Sequence, residues 1–169
     1  MAGFSSPGLP NFFGFAPSPV NFIRPFKRPQ SSISSTIAED LETGEVVVVT
    51  GSAGGSHIIT ATLQNLHNVL DNGATANQSV HTSRWHDQLG LETFYELPAD
   101  GSFANGTIQP DYGLPAFLNG TVEYLTGLGY NMTSQLTITS TSHVIVRSAD
   151  GVFEAANDPR KSAGGGSAY

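Results

Sequence analysis

The feature that most constrains this chain is a β-branched run that ends in a glycine-rich turn. Val46–Val49 is followed by residues 50–56, Thr-Gly-Ser-Ala-Gly-Gly-Ser, and an apolar-periodic segment begins at Ile58. A continuous β-branched run is typical of a buried strand, and apolar residues at helical spacing are typical of a helix. The stretch therefore predicts a strand, a tight turn and a helix.

The glycines of this turn, Gly54 and Gly55, have two physical uses. Glycine adopts backbone torsions closed to other residues, and it lets a ligand approach the main chain with no Cβ in the way. The first N–H groups of the following helix have no partner inside it and carry the positive end of its dipole. Such a turn can hold an anion, or an oxygen that becomes one during a reaction. The alternative is that the glycines only make a tight corner.

Two better-known glycine motifs do not fit the stretch. No Lys follows the glycines, so the turn is not a phosphate-binding P-loop. Thr50 stands where the first Gly of a G-x-S-x-G nucleophile elbow would be, so that motif is excluded too.

The composition limits the classes of function. A length of 169 residues suits one domain. The net charge of −7 and only seven basic residues argue against a nucleic-acid partner. No apolar run is long enough to span a membrane, and residues 1–20 do not have the pattern of a signal peptide. Cysteine is absent, which excludes disulfides and thiol chemistry within these residues.

Glycosylation signals favour the secretory pathway. N-x-[S/T] sequons occur at Asn77, Asn105, Asn119 and Asn131. About two would arise by chance in so Ser- and Thr-rich a chain, so four is a mild excess. We therefore expect an extracellular or secretory-pathway glycoprotein. The alternatives are a membrane-anchored or a vacuolar protein, directed there by further N-terminal sequence.

The pattern divides the chain into two parts. Residues 1–30 are rich in Pro, Phe and Gly and keep no regular period, which predicts an extended segment docked on the core formed by residues 31–169. Ser31 and Ser32 lie in a hydroxyl-rich loop at the entrance to a strand. Their side chains could cap backbone groups or bind a ligand carboxylate through two hydroxyls.

The remaining periodicity predicts an α+β chain. In helix 56–72 the leucine and isoleucine positions 59, 63, 66 and 70 form one apolar stripe, and Ser56 is its predicted N-cap. Helices on one face of a sheet leave its other face to be covered, so we expect one sheet with its helices and much of a second sheet to be lacking. The elements predicted besides that helix are strands 36–39, 46–50, 91–96, 134–140, 143–147 and 152–156, helices 75–82 and 115–128, a polar turn 84–88, a loop 98–113 and a coiled tail 158–169.

Metal chemistry finds little support. The histidines are His57, His67, His81, His86 and His143. Their spacings match no strong zinc pattern, so a metal-dependent hydrolase is a minor alternative. We expect no metal and no cofactor.

Several motifs, in the same order along the chain, resemble one family. They are Met1-x-x-Phe4-Ser5-Ser6-Pro7, Pro17-Ser18-Pro19-x-Asn21-Phe22-Ile23, Lys27-Arg28-Pro29-x-Ser31-Ser32, Gly51-Ser52-x-Gly54-Gly55, Arg84-x-His86-x-Gln88-Leu89, Asp158-x-Arg160 and Ala168-Tyr169. Over essentially its whole length the chain resembles the C-terminal part of the small subunit of γ-glutamyltranspeptidase, also called glutathione hydrolase.

The resemblance implies a partial αββα sandwich of the N-terminal-nucleophile hydrolase type. It implies cleavage of γ-glutamyl amides such as glutathione through an acyl-enzyme on an N-terminal Thr, and a large-subunit-like partner chain or further N-terminal polypeptide. Gly54 and Gly55 would form the oxyanion hole, and Ser31 and Ser32 would hold the α-carboxylate of the glutamyl group.

Two departures from the family pattern matter. No Thr occupies the nucleophile position, and Met1 resembles an internal Met of the family, so we expect the chain to be inactive alone. The family usually reads Met-Asp-Asp-Phe where this chain reads Met1-Ala2-Gly3-Phe4, so Gly3 replaces the Asp that binds the substrate α-amine. The alternative is a non-catalytic, degenerate relative that binds a ligand or pairs with another subunit.

Overall fold

The computed structural model describes residues 5–28, 30, 33–90, 92–96, 119–135 and 140–159. The predicted loop 98–113, the start of the predicted helix at 115 and the tail from residue 160 lie outside these ranges. The chain divides into two compact units, residues 1–33 and residues 34–169.

The larger unit contains two sheets and three helices among its described residues. A four-stranded antiparallel sheet has the order β1-β2-β6-β7, and a three-stranded sheet has the order β3-β4-β5 with β4 and β5 parallel. This confirms the predicted α+β class with one main sheet. The elements are β1 Thr36–Glu39, β2 Val46–Ala53, α1 His57–Leu70, α2 Ala76–His81, β3 Trp85–Asp87, β4 Thr93–Glu96, α3 Asn119–Gly127, β5 Met132–Gln135, β6 Thr141–Arg147 and β7 Phe153–Asn157.

The core lies between the four-stranded sheet and the helices α1 and α2. Val48 of β2 and Val144 of β6 pack against Ala76 and Val80 of α2, and all four are fully or almost fully buried. Side chains alternate along a strand, so the neighbours of Val48 in β2 and of Val144 in β6 point to the opposite face of the sheet. The helices therefore cover one face of the sheet.

The opposite face carries an apolar row across all four strands. Ile37 pairs with Val49, Val49 with Ile145, and Ile145 with Ala155. Ile37 is 65% exposed. This is the arrangement expected of one layer of a sandwich whose other layer packs on that row.

The smaller unit is built from local turns. The Asn11 side-chain oxygen accepts from the N–H groups of Phe13 and Phe15, at 2.9 and 3.0 Å, and Pro19–Asn21 forms one 3₁₀ turn. The prolines thus give short, separately hydrogen-bonded turns rather than a regular element. The docked path predicted for residues 1–30 stays a prediction.

Two element predictions need correction. β2 continues to Ala53, three residues past its predicted end, because Gly51, Ser52 and Ala53 pair with residues 143, 142 and 141 of β6. The predicted polar turn at 84–88 contains strand β3, whose residues pair with β4.

The face of α1 that packs on the sheet differs from the predicted one. In the predicted apolar stripe, Ile59 and Leu63 are 69% and 62% exposed. Leu66 of the same stripe packs against the core. The buried side carries Ala61 and Asn65 instead. The helix is rotated this way because the sheet beneath it presents hydroxyl groups. These hydroxyls form hydrogen bonds with the amide of Asn65, and a leucine side chain could not do so.

The helices are short. Within the ranges described, no helix has the length and apolar character needed to cross a bilayer.

Candidate functional site

The glycine-rich turn makes the predicted strand-to-helix corner. β2 ends at Ala53, Gly54 and Gly55 have φ values of 132° and 64°, and α1 begins at His57. Both φ values lie in the region that side-chain-bearing residues rarely adopt. The two glycines therefore allow the chain to reverse within three residues.

Hydrogen bonds fix the direction of two peptide groups in this turn. The N–H groups of His57 and Ile58 donate to the carbonyl oxygens of Gly54 and Gly55, each at 3.3 Å, so both carbonyls point along the helix. In a trans peptide the carbonyl of one residue points opposite to the N–H of the next, and no described peptide bond is cis. The N–H groups of Gly55 and Ser56 therefore point away from the helix.

These outward amides are available to a ligand. Among the described residues, neither Gly55 nor Ser56 donates its N–H to a hydrogen bond, and the N–H of Gly54 does not either. Unpaired N–H groups at the positive end of a helix dipole suit a carboxylate, a phosphate or a developing oxyanion. The role of Gly54 and Gly55 as an oxyanion hole stays a prediction.

Ser56 does not use its side chain as predicted. It occupies the N-cap position but has helical torsions and makes no capping hydrogen bond. Its hydroxyl donates instead to Oε1 of Gln88, at 2.8 Å. The start of α1 is therefore tied to the segment that follows β3.

His86 lies against the same helical turn. Its Nε2 is 2.7 Å from Oε1 of Gln88, and its Nδ1 is 2.9 Å from the hydroxyl of Thr60. Its ring stacks on that of His57, with centroids 4.3 Å apart and planes at 25°. Burial, and then electrostatic interaction with His86 and Arg84, lowers the pKa of His57 to about 4. His57 is therefore neutral near pH 7.

A charged group of buried side chains, here called the arginine cluster, consists of Arg84, Glu96, Ser140 and Asp158. Arg84 Nε donates to Glu96 at 2.9 Å, and its Nη2 donates to Asp158 at 2.5 Å. Ser140 also donates to Glu96, at 2.9 Å. Burial by itself would lower the pKa of Arg84, but the two carboxylates outweigh burial and raise it.

The arginine cluster joins the two sheets. Arg84 precedes β3 and Glu96 ends β4, whereas Ser140 precedes β6 and Asp158 follows β7. Arg84 is 2% exposed and Asp158 is fully buried. Arg84 Nη1 finds no partner within the described ranges, although a small cavity lined by Arg84 and Ser140 has room for about one water molecule.

A neutral group, here called the amide cluster, consists of Thr50, Asn65, Ser79 and Ser142. The Asn65 amide nitrogen donates to the hydroxyls of Thr50, at 2.9 Å, and of Ser142, while its oxygen accepts from Ser79 at 3.3 Å. These contacts join α1 to β2, β6 and α2. They fix how α1 is rotated on the sheet, and with it where its first turn lies.

The chain entering β1 also contacts α1. The Ser34 hydroxyl is 2.9 Å from that of Thr62, and it donates to the carbonyl of Ile58 at 3.3 Å. The predicted site residues Ser31, Ser32 and Gly3 lie outside the described residues, so their role stays a prediction.

No group of three His, Asp or Glu side chains that could hold a metal ion occurs in the part of the chain that the structure describes. His57 and His86 are in contact through their stacked rings, and His86 forms a hydrogen bond with a neighbouring side chain.

Sequence reasoning did not assign roles to Arg84, Gln88 or Asp158. All three residues stand in the motifs that resemble the family, and those motifs are the sequence signal that could have pointed to them. Their partners could not be deduced, because Arg84 and Asp158 are far apart in the chain.

The comparisons with known proteins agree with one another. The model of the γ-glutamyltranspeptidase family matches residues 1–168. The chain is 40% identical over 166 residues to a glutathione hydrolase proenzyme of Arthroderma benhamiae, covering 98% of this chain and 25% of that protein. It is 34% identical over 161 residues to the glutathione hydrolase proenzyme of Escherichia coli, covering 95% of this chain and 24% of that protein.

A solved structure extends the likeness to three dimensions. A mutant of the Helicobacter pylori γ-glutamyltranspeptidase matches with a TM-score of 0.71 and 32% identity, covering 94% of this chain and 77% of that chain. The chain spans about a quarter of the length of the two curated relatives. Together these matches show that the chain belongs to the γ-glutamyltranspeptidase family and carries a partial αββα sandwich of the N-terminal-nucleophile hydrolase type.

Proposed function

We propose that this chain supplies part of the active site of an enzyme that hydrolyses or transfers γ-glutamyl groups, with glutathione as a substrate. The observation that carries the proposal is the outward, unpaired N–H of Gly55 at the start of α1. Gly54 and Gly55 together form the oxyanion hole.

The turn acts when the amide carbonyl of the substrate is attacked. The carbonyl oxygen gains negative charge as the tetrahedral intermediate forms, and amide donors held in place stabilise that charge. One such donor is worth about 3–4 kcal/mol in the transition state. Collapse of the intermediate expels the amine and leaves a γ-glutamyl ester, which water or an acceptor amine then cleaves.

The attacking group in this proposal is an N-terminal Thr that lies outside these 169 residues. Its own α-amine takes the proton of the hydroxyl. The turn is completed into a site by further polypeptide, which is a large-subunit-like chain or a longer N-terminal part of the same protein.

Substrate binding is the step in which this chain departs from the family pattern. Ser31 and Ser32 hold the α-carboxylate of the glutamyl group. Gly3 brings no carboxylate to the α-amine, and the loss of one charge-assisted hydrogen bond costs about 1.5–3 kcal/mol. We therefore expect a weakened hold on the substrate, with KM raised about tenfold to a hundredfold.

The same substitution favours a second candidate, a degenerate relative that binds γ-glutamyl compounds without turnover. Because Gly3 lacks the carboxylate, the site would bind the substrate α-amine more weakly, which suits a relative that binds its ligand without turning it over. The two candidates differ in one measurable outcome, which is turnover by the full-length protein.

The secretory pathway is the proposed location. Of the sequons in the described ranges, Asn77 stands exposed in the first turn of α2, where a glycan would extend into solvent. A shift in mobility after glycosidase treatment of the natural protein would support this location.

The decisive experiment compares two glycine substitutions at opposite ends of α1 in the full-length protein. Gly55 and Gly73 have similar φ values, 64° and 66°, so alanine strains the backbone similarly at each. An added Cβ at Gly73 meets no atom within 4 Å. We expect Gly55→Ala to lower kcat for a γ-glutamyl anilide at least a hundredfold, and Gly73→Ala to change it less than threefold.

Equal losses in the two variants would contradict the oxyanion role of the turn. Glutamate binding with no turnover by the folded wild-type protein would favour the degenerate relative. Turnover by the purified 169-residue chain would contradict the proposal that the nucleophile lies outside it.

A further inference from the structure

We propose that Gln88 and His86 are positioning residues that hold the oxyanion turn in its working geometry. This inference rests on the proposed function, because it assigns a task to residues behind the turn. It concerns side chains that touch neither the substrate nor the nucleophile in that proposal.

Ser56 is the link between the glycines and the two positioning residues. It follows Gly55 directly, so the Cα atoms of the two residues are about 3.8 Å apart. Its hydroxyl is bound to Gln88 at 2.8 Å and makes no capping bond with the helix. Fixing Ser56 fixes the peptide plane next to the outward N–H of Gly55.

Gln88 is itself held by His86. The oxygen of Gln88 accepts from Ser56 and lies 2.7 Å from His86 Nε2, so it serves two donors when His86 carries its proton on Nε2. In that tautomer Nδ1 is an acceptor, and the Thr60 hydroxyl shares its proton between Nδ1, 2.9 Å away, and the carbonyl oxygen of His57, 3.2 Å away. His86 and Gln88 are both buried, so water competes little for these bonds.

Together the two side chains contact the first turn of α1 at three positions. Gln88 binds residue 56, and His86 stacks on residue 57 and bonds to residue 60. The helix start is thus held by two side chains that lie outside the helix.

The turn needs such support because of its composition. Two consecutive glycines at positive φ have more conformational freedom than any other pair of residues. Amide donors stabilise a transition state only if they are already in place when charge develops. A displacement of about 1 Å at such a site lowers rates about a hundredfold.

The test is Gln88→Met in the full-length protein, which keeps the size of the side chain and removes the acceptor. Gln64→Met is the matched control. Gln64 also connects α1 to β3, through Trp85 at 2.8 and 3.1 Å, but it lies about two helical turns further from the glycines than Ser56 does. Ser56→Ala is a milder second variant in case Gln88→Met does not fold.

We expect Gln88→Met to lower kcat for a γ-glutamyl anilide between tenfold and a hundredfold, with KM changed less than threefold. Ser56→Ala should lower kcat about tenfold, again with KM changed less than threefold. Gln64→Met should lower the thermal midpoint but leave kcat within threefold. Equal losses of kcat in Gln88→Met and Gln64→Met, or a change in KM alone, would overturn the inference.

A separate measurement keeps the inference testable if the wild-type protein folds but shows no turnover, in which case the proposed function fails. Amide hydrogen exchange across residues 54–57 should then be faster in Gln88→Met than in wild type or Gln64→Met. The same exchange rates in all three proteins would overturn the positioning role on its own.

Discussion

The two buried polar clusters of this protein solve different problems with different chemistry. The amide cluster uses neutral hydroxyls and one amide to hold a helix on a sheet, and all of its contacts are between uncharged groups. The arginine cluster uses three charged side chains to hold one sheet to the other. Both lie almost wholly out of contact with water.

The difference lies in what happens when a member is lost. Neutral groups cost little to bury once they are hydrogen-bonded. Each buried ion costs several kcal/mol to remove from water, and this is offset only while all partners are present. The arginine cluster should therefore be the more fragile of the two, although its contacts are individually stronger.

The largest effect is expected from Asp158→Asn, which removes one charge and keeps the shape. Arg84 would then be buried with Glu96 as its remaining anionic partner among the described residues. Breaking a buried pair in this way costs about 3–5 kcal/mol. Denaturant unfolding of the protein measures the loss, and a change below 1 kcal/mol would show that the buried charges are not the fragile element.

Asn65→Leu tests the amide cluster with a side chain of similar size. The hydroxyls of Thr50, Ser142 and Ser79 would each lose a partner. Buried polar groups left unsatisfied cost about 1–3 kcal/mol, so we expect a loss of about 2–4 kcal/mol by the same unfolding assay. A loss larger than that of Asp158→Asn would reverse the comparison.

Acid should weaken the protein through His57, which lines the same small cavity as Arg84 and Ser140 of the arginine cluster. The pKa of His57 is about 4 in the folded protein, whereas the ordinary value is 6.5. Between pH 4 and pH 6.5, therefore, the His57 ring is protonated in the unfolded state and neutral in the folded state. Stability should therefore fall as pH drops from 6.5 to 4, by roughly 1–3 kcal/mol after allowance for screening by water.

The slope against pH in this window should be flatter in His57→Gln than in wild type. Identical slopes in the two proteins would show that other groups dominate the acid response.

The smallest effect is expected at the exposed pair between Arg147 and Glu45, which provides a surface reference for the arginine cluster. Its two contacts, at 2.5 and 2.8 Å, have good geometry, but both side chains are in contact with water. Glu45→Gln should cost less than about 1 kcal/mol, and less still in high salt. A loss close to that of Asp158→Asn would contradict the importance of burial.

Elements set by local chemistry were predicted well from the sequence. The turns at Gly44 and Gly151 have positive φ, and they join the antiparallel pairs expected on either side of them. The strand, glycine turn and helix around residues 46–70 also form as predicted, since each depends on residues close in the chain.

Features that depend on distant partners were missed. Helical periodicity placed Ile59 and Leu63 against the core, whereas the hydroxyl-bearing sheet selected the side with Asn65. Ser56 does not cap the helix, because its backbone torsions are helical and its hydroxyl donates to the distant Gln88. The arginine cluster required knowing which strands are neighbours, and no pattern within one segment contains that information.

The spacing of the arginine cluster along the chain has a consequence during protein synthesis. Asp158 is translated about 60 residues after Glu96, which at 5–20 residues per second is a delay of about 3–12 s. Throughout that interval the emerging polypeptide holds Arg84 with at most one of its two acids. The join between the sheets therefore closes only after residue 158 has been made, and until then chaperones and proteases encounter a chain whose two sheets are not yet tied together.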